Sequence, residues 1–366
     1  MSRNKIETHE AIFKSLIDVV KKSGETAENL DKKRFIKLSE EGENCLAKAK
    51  IEQKYEVSPR VRTASLSFQA GHFLLISGLE NFNNFDLPPV EEENPLYAAL
   101  LEVAFYELKI ALINNPEPLV IINEIIPFYM EVENETYEGH DIDTIKRFFL
   151  PTQIYEIESG YPLQANQLIQ LVGLRLCQQP DNLALPFSGD TLELFKQVFL
   201  EGSAAIPYDN LLQCCYSVSW KHAFLEMYRC VERLYPIPLL DKLHSEMGLD
   251  PEHFSLLKLG KTLEDILSWR PLEESSVKKI IEASPKETKS LLKEVKDSMP
   301  RTKSYALEKW FYGIRNNIVH FRAATPIIEM SDDNWDELIR ATLRMIEYWY
   351  KRYENKLMDQ VDAPTV

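Results

Sequence analysis

The spacing of apolar residues changes twice along the chain. Over residues 5–22, Ile6, Phe13, Leu16, Ile17 and Val20 recur at helical intervals that stop near Gly24, which predicts a helix with one buried stripe. A second helix is predicted from Asp31, a good N-cap, to about Tyr55, with Pro59 closing the section. Between residue 60 and about 157 the apolar runs shorten, as in Phe73-Leu74-Leu75-Ile76, Leu119-Val120-Ile121-Ile122 and Ile125-Ile126-Pro127-Phe128-Tyr129. Asn, Pro, Gly and Glu separate them, so strands and turns are expected. Residues 96–113 also read as strand from their aromatic and β-branched content, although Ala and Leu pull toward helix. The Pro- and Glu-rich run at 88–95 predicts an exposed loop, residues 168–176 a last strand, and 191–199 a short helix. The stretch Glu201-Gly202-Ser203-Ala204-Ala205-Ile206-Pro207 is the expected domain boundary.

Past Pro207 the spacing is helical throughout. A long helix over 208–235 carries Leu212, Phe224, Tyr228, Val231 and Tyr235 and ends at Pro236 and Pro238. Shorter helices are predicted near 239–247, 252–268, 274–282 and 285–298, bounded by Gly248, Pro251, Pro271 and Pro285. A helix over 303–322 follows, and a last one runs from Ser331-Asp332-Asp333 to Lys356. The expected fold class is therefore α+β, with a strand-containing domain over residues 1–204 and an all-α bundle over 205–366.

The 303–322 helix carries the candidate chemistry. At about 100° per residue, Arg315, Asn316 and His320 fall within about 140° of arc, with His320 one turn past Asn316. Leu307, Phe311, Ile314 and Ile318 collect on roughly the opposite side, and Lys309 and Tyr312 join the polar face. One stripe can enter a bundle while a polar trio faces out.

Arg-Asn followed four residues later by His resembles the signature of the HEPN family, the "higher eukaryotes and prokaryotes nucleotide-binding" helical bundles, many of which are metal-independent ribonucleases. The resemblance rests on Arg315, Asn316 and His320 and covers at most residues 205–360. It implies cleavage of RNA to 2′,3′-cyclic phosphate and 5′-hydroxyl ends without metal or cofactor. His320 would exchange a proton with the 2′-OH or the leaving 5′-oxygen, a task suited to an imidazole near neutral pH. Arg315 would hold the scissile phosphate, Asn316 would orient His320 or the phosphate, and Lys309, Tyr312 and Arg322 would contact substrate. A homodimer in which two motifs face each other is implied as well, because one His cannot readily act as both base and acid. The setting implied is prokaryotic antiviral defence or a toxin system, with a possible regulatory protein partner. The other reading is a non-catalytic HEPN module that binds a nucleotide or a partner protein. One toxin group of the family has a Tyr two residues after the motif His, where this chain has Arg322.

A purely structural account of the motif pairs Arg315 with a carboxylate, leaves Asn316 and Asn317 as surface amides, and makes His320 a satisfied, partly buried histidine. Glu226 and Glu232 are the candidate partners for Arg315. A second Arg-Asn…His spacing, at Arg3, Asn4 and His9, is set aside because it lies at a terminus with no preceding helix to pack on.

The balance of charge narrows the picture. The chain of 366 residues carries a net charge of −15, and 45% apolar residues are enough to fill a core. Residues 205–366 hold 23 Lys and Arg against 25 Asp and Glu, and residues 1–204 hold 19 against 32. The acidity thus sits in the first half, which counts against broad phosphate tracking and fits a domain that senses or restrains. Residues 301–322 differ, with Arg301, Lys303, Lys309, Arg315 and Arg322 against Glu308 alone. Cys45, Cys177, Cys214, Cys215 and Cys230 make no Cys-x-x-Cys pair and read as buried thiols. Lys221-His222, His244 and His253 lack ligand spacing, and Gly-rich phosphate loops and nucleophile elbows are absent. With no apolar run of about 18 residues and no secretory leader, a cytoplasmic protein without membrane contact is expected.

Overall fold

Asn4 opens the first helix by accepting the Ile6 backbone N–H on its side chain, and Gly24, in the left-handed region at φ 79°, closes it. This helix, α1 (Lys5–Ser23), buries Ile12, Phe13, Leu16, Ile17 and Val20. The computed structural model describes residues 3–79, 87–126, 139–157, 163–249, 255–299, 304–320 and 329–357. The chain divides into two units, residues 1–168 and 169–366.

In the first unit, α1 is followed by α2 (Glu40–Lys48), β1 (Lys50–Glu56), β2 (Arg62–Phe68) and β3 (Gly71–Ser77). Then come α3 (Tyr97–Glu107), α4 (Pro118–Glu124), α5 (Ile142–Lys146) and β4 (Thr152–Glu156). The four strands form one antiparallel sheet in chain order, with Thr63 opposite Ile76 and Leu75 opposite Ile154. Leu66, Phe73, Leu75 and Ile154 from the sheet join Leu16, Val20, Leu100, Val103 and Ile121 in one core. The sheet followed by helices makes the chain α+β.

The division falls within α6 (Ala165–Gln178), after which the chain is helical: α7 (Gly189–Glu201), α8 (Tyr208–Cys215), α9 (Trp220–Arg233), α10 (Ile237–Met247) and α11 (Leu256–Leu267). They are followed by α12 (Glu273–Ala283), α13 (Lys286–Ser298), α14 (Leu307–Val319) and α15 (Asp332–Leu357). The longest helix, α15, packs against α7, α9, α11 and α13. Its buried polar tips find partners: Trp349 Nε1 donates to Ser284 Oγ at 3.0 Å, and the Tyr350 hydroxyl donates to the Cys230 carbonyl at 3.0 Å.

Several expectations are corrected. The helix expected over 31–55 is α2 followed by strand β1, whose alternating exposed and half-buried residues pair with β2. Strands expected at 96–113, 119–122 and 168–176 are the helices α3, α4 and α6. In α3 nearly every side chain is buried, so no polar face marks a helical period. Ile125 and Ile126 follow α4 without forming a strand, and Pro127 to Tyr129 lie outside the described residues. The Pro- and Glu-rich run is an exposed loop as expected, pinned at the buried Val90, which donates its backbone N–H to the Ile154 carbonyl. The single helix over 208–235 is broken into α8 and α9. The chain divides earlier than residue 204, between residues 168 and 169. Gln170 donates to the Phe199 carbonyl, and a Cβ at Gly173 would meet the Phe199 ring at 2.3 Å, so α6 and α7 are locked together. Asp336 of α15 accepts from Ser188 Oγ at 2.5 Å and Thr191 Oγ1 at 2.9 Å at the start of α7. Residues 169–204 therefore belong with the helices.

All five cysteines are buried free thiols. Among the described residues no helix is long and apolar enough to cross a membrane.

Candidate active site

Trp310, Phe311 and Ile314 seat α14 in the helical unit. The Phe311 ring lies 5.5 Å from Phe224 edge-on and 5.4 Å from Tyr228 stacked, which fixes the rotation of the helix about its axis. Leu307 and Ile318, expected in the same stripe, are half-buried, and Trp310, outside that expected stripe, is buried. The helix is shorter than the predicted 303–322. His320 is its C-cap, with φ −106° and ψ 79°, and its backbone N–H still bonds the Asn316 carbonyl at 2.8 Å. It therefore remains one turn past Asn316, at the helix end rather than inside it.

Arg315 is the most firmly held of the candidates. Its Nε donates to one oxygen of Glu232 at 3.1 Å, Nη2 lies 2.9 Å from the same oxygen as an ion pair, and Nη1 donates to Oδ1 of Asn316 at 3.0 Å. Burial works against the guanidinium charge, but Glu232 and Glu273 outweigh it and raise the Arg315 pKa above its ordinary value. Glu232 lies on α9, and of the two carboxylates weighed as partners it is the one that reaches. Glu226 instead accepts from Asn210 and pairs with Arg229. Behind Arg315, the Tyr235 hydroxyl donates to the Tyr228 hydroxyl at 2.5 Å, and burial pushes both above the usual phenol range.

Two carboxylates that the sequence reading missed complete the arrangement. Glu273 accepts from the Tyr312 hydroxyl at 3.0 Å and lies 3.8 Å from Arg315 Nη1, and Glu274 lies 4.0 Å from Lys309 Nζ. Their only sequence signal is that of acidic residues in the first turn of a helix, which by itself indicates nothing beyond helix start. The segment 301–322 reads as basic in sequence, but packing brings three acids against it. Arg301, Lys303 and Arg322 lie outside the described residues.

No family model, curated protein or solved structure matches this chain.

The structure thus joins Arg315, Asn316 and Tyr312 through hydrogen bonds and the 3.8 Å ion pair of Glu273 with Arg315, with Lys309 at the edge. His320 stands apart from it. Its side chain is exposed, and among the described residues its ring has no hydrogen-bond partner. The other Arg-Asn…His spacing is structural: Arg3 pairs with Glu107, Asn4 caps α1, and His9 is buried 2.8 Å from the carboxylate of Glu102. Among the described residues no group of three or more His, Cys, Asp or Glu gathers to hold a metal ion.

Proposed function

We propose that the helical unit is an endoribonuclease that cleaves RNA without a metal ion, leaving 2′,3′-cyclic phosphate and 5′-hydroxyl ends. The reading is supported above all by His320, an exposed imidazole one turn beyond an Asn316 that is itself bonded to a clamped arginine. The 2′-oxygen attacks the phosphorus as it loses its proton, and the 5′-oxygen leaves as it gains one. An imidazole serves either transfer. Arg315, with Glu232 fixing one edge of its fork, offers Nη hydrogens to the non-bridging oxygens, where charge builds in the transition state. Asn316 holds Nη1 and thereby orients the guanidinium. Lys309 and Tyr312 would contact the flanking phosphates, together with Arg322. Two copies meeting across α14 would supply a second His320, and the family resemblance favours a role in prokaryotic defence or a toxin system under the control of a partner.

A second reading draws on Glu273. Arg315 is already neutralised by two carboxylates, as in a module that binds a nucleotide or protein without catalysis. One assay separates the two. Purified chain is incubated with RNA in excess EDTA beside the His320→Ala variant. Cleavage by the first and not the second supports the nuclease. Equal degradation by both removes His320 from the chemistry, and binding without cleavage favours the module.

A further inference from the structure

The face of α14 assigned to RNA is already covered by anions of the same chain. Glu273 and Glu274, consecutive residues in the first turn of α12, reach Tyr312, Arg315 and Lys309. Glu232 differs from them in gripping the Nε–Nη2 edge of Arg315, where it orients the fork. Among the described residues three carboxylates face two cations, so a phosphodiester arriving at Arg315 and Lys309 must compete with acids already in place. A carboxylate that accepts from a tyrosine hydroxyl and sits beside a guanidinium takes the place a phosphate oxygen would take.

We propose that Glu273 and Glu274 act as a built-in competitor that restrains this face, so that RNA engages Arg315, Tyr312 and Lys309 only by displacing them. The inference rests on the reading of this face as an RNA site. Displacement needs no movement of α12, whose Val277, Ile280 and Ile281 stay buried. Both acids are exposed, and exposed ion pairs are weak and screened by salt. The restraint is therefore one that substrate can overcome.

The competitor also shapes the response to salt. Cations already paired with internal carboxylates release fewer counterions when phosphate arrives, so wild-type affinity should fall less steeply with salt than that of a variant lacking the acids.

The test uses the full chain and a short single-stranded oligonucleotide with 2′-deoxy sugars, which lacks the attacking hydroxyl. Affinity is measured for wild type, Glu273→Gln, Glu274→Gln and the double variant, with and without Arg315→Ala. Glu226→Gln is the control expected to match wild type. The double variant should bind about three- to ten-fold tighter, the scale of two exposed ion pairs, with a steeper salt slope, and adding Arg315→Ala should abolish the gain. Unchanged or weaker binding by the double variant, or no binding by any form, overturns the proposal. Cleavage of the unsubstituted RNA is followed in parallel. Tighter binding with no cleavage by any form rejects the nuclease and upholds the competitor, whereas cleavage by wild type with no gain in the double variant rejects the competitor alone.

Discussion

His320 and Arg315 differ in depth, and their removal should differ accordingly. His320→Ala removes an exposed ring without a partner among the described residues, so its melting temperature should match wild type while cleavage is lost. Arg315→Ala should also abolish the proposed cleavage, but its side chain is only 17% exposed and its loss strands Glu232, which is 33% exposed. A penalty of about 1 kcal/mol is expected, visible as a fall of a few degrees in the melt. A His320→Ala variant that unfolds would instead mark that imidazole as structural. In the N-terminal unit a different histidine sets an acid limit. Burial, followed by the nearby Arg34 charge, lowers the His140 pKa from 6.5 to about 4. The unfolded chain therefore binds the proton first, and stability is full above pH 6.5 and declines as pH falls toward 4. His140→Gln should flatten that slope in denaturant titrations at several pH values. An unchanged slope would place the acid sensitivity elsewhere.

Within α14 itself, Gly313 sits mid-helix with nothing within 4 Å of the place a Cβ would occupy. Gly313→Ala should stabilise the protein by about 0.5–1 kcal/mol, because alanine forfeits less backbone entropy in a helix. A lowered melting temperature would show that this position needs glycine for a reason other than helix geometry. Elements with a polar face were legible before the structure: α1, α7, α13 and α15 follow their apolar stripes closely. Elements wrapped by neighbours were not. The sequence of α3 has no polar face to set its period, and β1 is settled by pairing with β2 rather than by its own residues. The same limit governs the site. Spacing alone brings out Arg315, Asn316 and His320, whereas Glu273 reaches Tyr312 only because α12 packs on α14.

At the scale of the molecule, the bonds from Asp336 to Ser188 and Thr191 make α7 part of the helical unit. A fragment of residues 169–366 should therefore melt cooperatively, and one beginning at 205 should melt lower or precipitate; equal stability of the two would detach α7 from the unit. Assembly bears more directly on function. Cleavage needs proton transfer at two oxygens on opposite sides of one phosphorus, and one chain offers one His320. Beside it Val319 is 47% exposed, an apolar side chain that the proposed two-fold contact across this helix would bury. Tyr312 is a poorer probe of such an interface because its hydroxyl serves Glu273. Val319→Glu places like charges against each other at the axis, which an interface of this kind does not tolerate. If the proposed dimer forms, sedimentation should show wild type as a dimer and this variant as a monomer, with cleavage lost and helical content kept. A wild-type monomer that cuts RNA at full rate would defeat the two-copy mechanism and require the second proton-transfer group to come from within a single chain.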